Sequence, residues 1–157
     1  MKPVLILGLG NILAGDDGIG LLIAELLGAD PAVTASADVI VAGSDLLRFS
    51  AEMAGRSQVI LVDAAESSEP PGTVSVIEHQ HPDDTAPGAH SLSAPQIVEL
   101  LRTLTPEISA IRFTWVLVSV APVKLNAPLS REALGAIPAA LEWIGNRIRE
   151  NNAGSSS

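Results

Sequence analysis

Apolar residues along this chain follow two alternating patterns: short unbroken runs, and longer stretches in which they return every three or four positions. The runs predict strands buried on both faces, and the periodic stretches predict amphipathic helices. The first run, Val4-Leu5-Ile6-Leu7, ends in Gly8. Ile19, Leu22, Ile23, Leu26 and Leu27 then keep helical spacing, with Gly28 as a stop. A second strand is predicted over residues 38–42, a short helix over 46–53, and a third buried strand over 59–62 that ends at Asp63. The stretch 64–72 contains Pro70 and Pro71 and is too short for a crossover helix. The strand expected over 73–77 should therefore run antiparallel, because a parallel return takes a dozen residues or more.

A polar loop occupies 78–91. Ser93-Ala94-Pro95-Gln96 then forms a capping box, ahead of a helix with Ile97, Leu100, Leu101 and Leu104 as its buried stripe. The longest strand is expected over 111–120. Ser130 is the predicted cap of a final helix with the stripe Leu134, Ile137, Leu141, Ile144 and Ile148; Pro138 either kinks it or marks where its regular part starts. Strands alternating with helices imply an α/β fold. The expected architecture is a three-layer sandwich: a mostly parallel five-stranded sheet, one strand antiparallel, with helices on both faces.

Composition narrows the function. The chain has 157 residues, 47% of them apolar, which suits a single domain over 1–150 with its own core. The polar, small residues 151–157 are expected to form a disordered tail. The absence of cysteine rules out disulfides, thiolate metal sites and a cysteine nucleophile. Eighteen acidic residues face nine basic ones, with no run of Lys or Arg, so neither nucleic acid nor an anionic membrane surface is an expected partner. The amino-terminal apolar run is too short for a secretion signal or a membrane span. A monomeric cytoplasmic protein is the expectation.

The segment from Gly8 to Gly20 leaves a strand and enters a helix, the usual place for a ligand in an open α/β sheet. A dinucleotide fingerprint would need glycine at position 13, where Leu13 stands, and no acidic residue closes the second strand. The paired carboxylates Asp16 and Asp17 carry more. One Asp suffices to cap the following helix, and a second among glycines leaves a carboxylate for a ligand; capping alone remains the competing explanation. Asp63, at the end of a central strand, belongs to the same rim, although an Asp there can simply start a turn. The three histidines are His79, His81 and His90. His79 and His81 flank Gln80 in the polar loop and are expected to be solvated, whereas His90 lies just ahead of a helix. No Gly-x-Ser-x-Gly elbow and no His-Glu-x-x-His pair is present. Two carboxylates and an imidazole from three loops remain, a ligand set that suits a borderline divalent metal with open positions.

Gly8-x-Gly10-Asn11-x-Leu13-x-x-Asp16-Asp17-Gly18-x-Gly20 resembles the opening motif of the hydrogenase maturation endopeptidases, and the similarity in element order runs on through Val62-Asp63-Ala64 and His90-Ser91-Leu92-Ser93. That resemblance implies an endopeptidase that removes the carboxyl-terminal extension of a nickel–iron hydrogenase large-subunit precursor. Carried over residue by residue, the family's metal-contacting acid, Asp and His fall on Asp17, Asp63 and His90, which are accordingly the expected catalytic and metal-contacting residues. The resemblance further implies that nickel arrives inside the substrate and signals a completed cofactor, and that other divalent metals can occupy the site. Two positions depart from the family pattern: Val41 stands where an acid is common, and Ala121 precedes Pro122 where Gln or Glu is common. The competing readings are a recognition module that binds a metallated partner without cutting it, and a nucleotide-binding α/β domain.

Overall fold

A computed structural model describes residues 1–79 and 94–154, and among these residues it has five strands and five α-helices. In chain order they are β1 (Val4–Leu9), α1 (Ile19–Gly28), α2 (Pro31–Thr34), β2 (Ala37–Gly43), α3 (Ser50–Met53), β3 (Gln58–Glu66), β4 (Val74–His79), α4 (Ala94–Leu104), β5 (Arg112–Val120) and α5 (Arg131–Gly154). The strands form one sheet in the order β2-β1-β3-β5-β4, with the β1–β2, β1–β3 and β3–β5 pairs parallel and β4 antiparallel to β5. The short, proline-containing β3–β4 link enforces that reversal, as the sequence predicts.

Alternating side chains along the strands supply two cores, one on each face. Ile6, Ile60, Val62, Val116 and Val118 pack with Ile19 and Ile23 of α1 and with Ala140 and Ile144 of α5. On the opposite face Leu5, Leu7, Val59, Leu61, Phe113 and Trp115 pack with Met53 of α3 and with Val98 and Leu101 of α4. The result is helix, sheet, helix in three layers. Among the described residues no helix is long and apolar enough to cross a membrane.

Several boundaries differ from the sequence-based expectation, each for a physical reason. β3 does not stop at Asp63 but continues to Glu66, because β5 runs alongside and pairs it as far as Glu66↔Val120. α2 is an unanticipated turn: Asp30 caps it by accepting the Ala32 amide at 2.9 Å, with Pro31 in the first helical position. In α5 the buried line is Ala133, Ala136, Ala140, Ile144 and Ile148, while Leu134 is exposed. The small alanines let this end of the helix approach the sheet. In α4, Val98 and Leu101 are buried and Leu104 is exposed. Residues 151–154, expected in a disordered tail, instead belong to α5, which extends to Gly154 with Asn151 Nδ2 donating to Gln58 Oε1 at 2.6 Å and Asn152 Nδ2 to Ser36 Oγ at 2.7 Å; residues 155–157 lie outside the described residues.

Candidate active site

β1 is flanked by β2 on one side and β3 on the other, so the chain turns in opposite directions from its two neighbours and opens a crevice at their carboxyl ends. α1 enters that crevice end-on. A methyl group at Gly20 would lie 2.4 Å from both the Leu9 and the Val62 carbonyl oxygens, and one at Gly8 would lie 2.4 Å from Ala24 Cβ. Only glycine at both positions lets the first turn of α1 seat between β1 and β3. Gly10 turns the chain out of β1 with φ +139°, its amide donates to the Gly43 carbonyl at 3.0 Å, and a Cβ there would collide with the Asp17 carbonyl oxygen at 1.9 Å. The glycines of the opening motif thus serve close backbone approach.

The two aspartates of that motif divide the work. Asp16 is committed within the protein: its carboxylate accepts the Ser130 amide at 2.6 Å and the Ser130 hydroxyl at 2.7 Å. Ser130 Oγ in turn accepts the Ala133 amide at 3.1 Å, which caps α5 as the sequence predicts. Asp17 lies one residue on, in the 3₁₀ turn Gly15–Gly18 that precedes α1. Its Oδ2 accepts the Asn11 amide at 3.0 Å, and its carbonyl oxygen accepts the same amide at 3.2 Å.

Asp63 directly follows Val62, the last β3 residue paired with β1. The strand is buried through Val62 and becomes partly accessible at Asp63, so this carboxyl stands where the sheet opens. Its register partner Leu117 packs on the α4 side of the sheet, and so do its alternate neighbours Val59 and Leu61. Asp63 therefore faces the layer that α4 occupies. Burial pushes its carboxyl up to about 7, the Ala64 amide at 2.8 Å opposes the rise, and the nearby Asp17 carboxylate adds to it. Neither Asp17 nor Asp63 takes part in the ion pairs formed among the described residues.

Of the predicted set, then, the structure brings Asp17 and Asp63 within electrostatic reach. His90 lies outside the described residues, as does His81. His79 ends β4 opposite Phe113, four residues before Leu117 on β5 and roughly 13 Å along the strand from the level of Asp63. The backbone register separates it from the crevice. Among the described residues no group of three His, Cys, Asp or Glu side chains could hold a metal ion.

Sequence reasoning missed the Asp16–Ser130 link, whose partners are 114 residues apart. It also missed Glu66, which the extension of β3 carries to the rim, where Oε1 accepts the Val123 amide at 3.4 Å. Val41, in the place of the family's common acid, pairs with Gly8 near the end of β2 and is 46% exposed.

Three comparisons bear on this arrangement. A family model described as hydrogenase maturation protease matches residues 21–147, a span that starts just past the first loop and includes Asp63 and position 90. The hydrogenase 2 maturation protease of Escherichia coli (strain K12) is 29% identical over 159 residues, covering 94% of this chain and 92% of that protein. Among solved structures, a hydrogenase maturating endopeptidase from Escherichia coli superposes with a TM-score of 0.76 at 23% identity, over 96% of this chain and 94% of its own. A [NiFe] hydrogenase maturation protease from Thermococcus kodakarensis gives a TM-score of 0.73 at 25% identity, over 94% of this chain and 99% of its own.

Proposed function

Because the chain belongs to the hydrogenase maturation protease family, we propose that it is the endopeptidase that removes the carboxyl-terminal extension from a nickel–iron hydrogenase large-subunit precursor after nickel has been inserted. The observation that carries this reading is the pair Asp17 and Asp63, one in the 3₁₀ turn ahead of α1 and the other where β3 leaves its pairing with β1, within each other's field. Two neighbouring carboxylates with no cationic partner among the described residues repel each other, and a divalent cation relieves that repulsion.

In this reading Asp17, Asp63 and His90 contact the nickel that the substrate brings, and that contact places the scissile bond over the rim. α4 lies in the layer that Asp63 faces, and His90 precedes it by four residues in the chain, which suits an imidazole joining the two carboxylates. The donor set of two carboxylates and one imidazole fits nickel and leaves positions open to the substrate. A metal held there would be placed to polarise a carbonyl or to activate water. Other divalent ions can occupy the same ligands.

The test is a processing assay. The purified protein is mixed with nickel-loaded and nickel-free precursor from the same source, and the products are weighed by mass spectrometry. Loss of a carboxyl-terminal peptide from the nickel-loaded form alone is expected, together with no processing by Asp17→Ala, Asp63→Ala or His90→Ala variants that keep their thermal transition. Processing that survives removal of all three side chains overturns the assignment of these residues. Nickel-dependent binding without cleavage makes the chain a recognition module instead.

A further inference from the structure

Four large apolar side chains stand on two loops at the carboxyl edge of the sheet. Ile12 and Leu13, on the loop that carries Asp17, are 74% and 62% exposed; Val123 and Leu125, on the loop after β5, are 38% and 72% exposed. Single exposed apolar residues are ordinary, but several gathered on two neighbouring loops beside a polar crevice mark a surface suited to another molecule. The two loops are fastened to each other. The Asn126 amide donates to the Leu13 carbonyl at 2.7 Å, Asn126 holds φ +59°, and a Cβ at Gly15 would touch Ala127 Cβ at 3.3 Å. The Asp16–Ser130 link anchors both loops from behind. Leu13 and Leu125 are thereby held in a set position relative to Asp17.

The occupant follows from the charges beside this ledge. Asp17 and Asp63 take part in none of the ion pairs among the described residues, and the chain carries a net charge of −9. A second copy would bring the same acidic pair against it. A polypeptide that presents a cationic or metal-bound group to the carboxylates and apolar side chains immediately beside that group satisfies both surfaces at once. We propose that Leu13 and Leu125 determine specificity by seating apolar side chains that flank the scissile bond of the precursor, bound as an extended segment along the rim. This inference rests on the endopeptidase reading above.

The experiment measures processing of the nickel-loaded precursor by wild type, by L13S/L125S and by L104S/L134S, whose substituted residues are exposed on α4 and α5. Thermal melts check each fold, and the single variants L13S and L125S replace the double one if it loses its transition. KM is expected to rise about tenfold in L13S/L125S with kcat within about twofold of wild type, and L104S/L134S should match wild type. Serine in place of the apolar residues flanking the precursor's scissile bond should raise KM for wild type by the same factor and add little in L13S/L125S, because the two changes remove one contact. An unchanged KM in L13S/L125S, or fully additive losses, overturns the ledge while leaving the endopeptidase reading intact. If the precursor is bound but not cut, that reading fails alone, and fluorescence anisotropy of labelled precursor reads the same tenfold change, or its absence, as Kd. If wild type neither cuts nor binds the precursor, both fall.

Discussion

The carboxylate of Asp16 grips Ser130 twice, through the backbone amide at 2.6 Å and the hydroxyl at 2.7 Å, and so ties the loop after β1 to the start of α5. Ser130 passes the connection on by capping α5 through the Ala133 amide. One residue later Asp17 is left facing the crevice. Adjacent aspartates therefore have separate duties, one fastening the loop and the other presented by it.

Removing that grip should loosen the loop. Asp16→Ala is expected to lower stability by about 1–3 kcal/mol in urea unfolding, since the Ser130 amide loses a charged acceptor. Ser130→Ala should cost a similar amount, because the helix cap disappears with it. In the double variant the two losses should fall well short of additive; full additivity would mean that the pair is not coupled in solution.

Asp63 should make the protein less stable as pH rises. Its folded-state value of about 7 lies above the ordinary aspartate value of 3.8, so the folded state holds a proton that the unfolded chain releases between those limits. The stabilisation is fully present below about pH 4 and is lost as pH rises through about 7; with a discount for partial exposure, roughly 2 kcal/mol of that loss falls between pH 5 and pH 8. Urea unfolding of wild type at pH 5 and pH 8 should differ by that amount beyond any change in Asp63→Asn. Carboxyl NMR should place the Asp63 midpoint near 7, and Asp17→Asn should move it down; a midpoint near 4 would contradict the buried setting.

Two glycines should respond oppositely to the same change. Gly20→Ala places a methyl 2.4 Å from two carbonyl oxygens and should cost more than about 3 kcal/mol or prevent folding, since backbone must shift. Gly135 lies in α5 with nothing within 4 Å of an added Cβ. Gly135→Ala should stabilise by about 0.5–1 kcal/mol in the same denaturation experiment.

Added divalent metal should find the paired carboxylates even without substrate. Titrating the protein with nickel is expected to raise Tm in a saturable way, and Asp17→Asn, Asp63→Asn and His90→Ala should each weaken that binding by about tenfold or more. A shift that survives in all three variants would place the metal elsewhere.

Much of the fold was legible because its signals are local. The runs at Val4-Leu5-Ile6-Leu7 and Val59-Ile60-Leu61-Val62 identify buried central strands, and the proline-containing link after Asp63 compels the antiparallel β4. The final helix was legible in its start and in most of its buried face, since Ile137, Leu141, Ile144 and Ile148 do turn to the core, but not in its end or at Leu134. Leu134 belongs to an apolar stripe on paper, yet alanines 133, 136 and 140 are the ones buried in the core with the strand side chains, because close approach favours small side chains that periodicity ranks below leucine. The end of β3 was hidden for a related reason. Ala64, Ala65 and Glu66 have little strand character of their own, and pairing with β5 draws them into the sheet.

The sequence by itself determined the order of the strands and of the longer helices, the reversal of direction at β4, and the candidacy of Asp17 and Asp63, because hydrophobic period, glycine spacing and link length act between near neighbours. Tertiary structure alone decided which of two adjacent aspartates faces the crevice, why Asp63 holds its proton, and that Leu13 and Leu125 share one ledge. Those properties arise from desolvation and from contacts between residues up to 114 positions apart, and such contacts come into being only when the chain closes on itself.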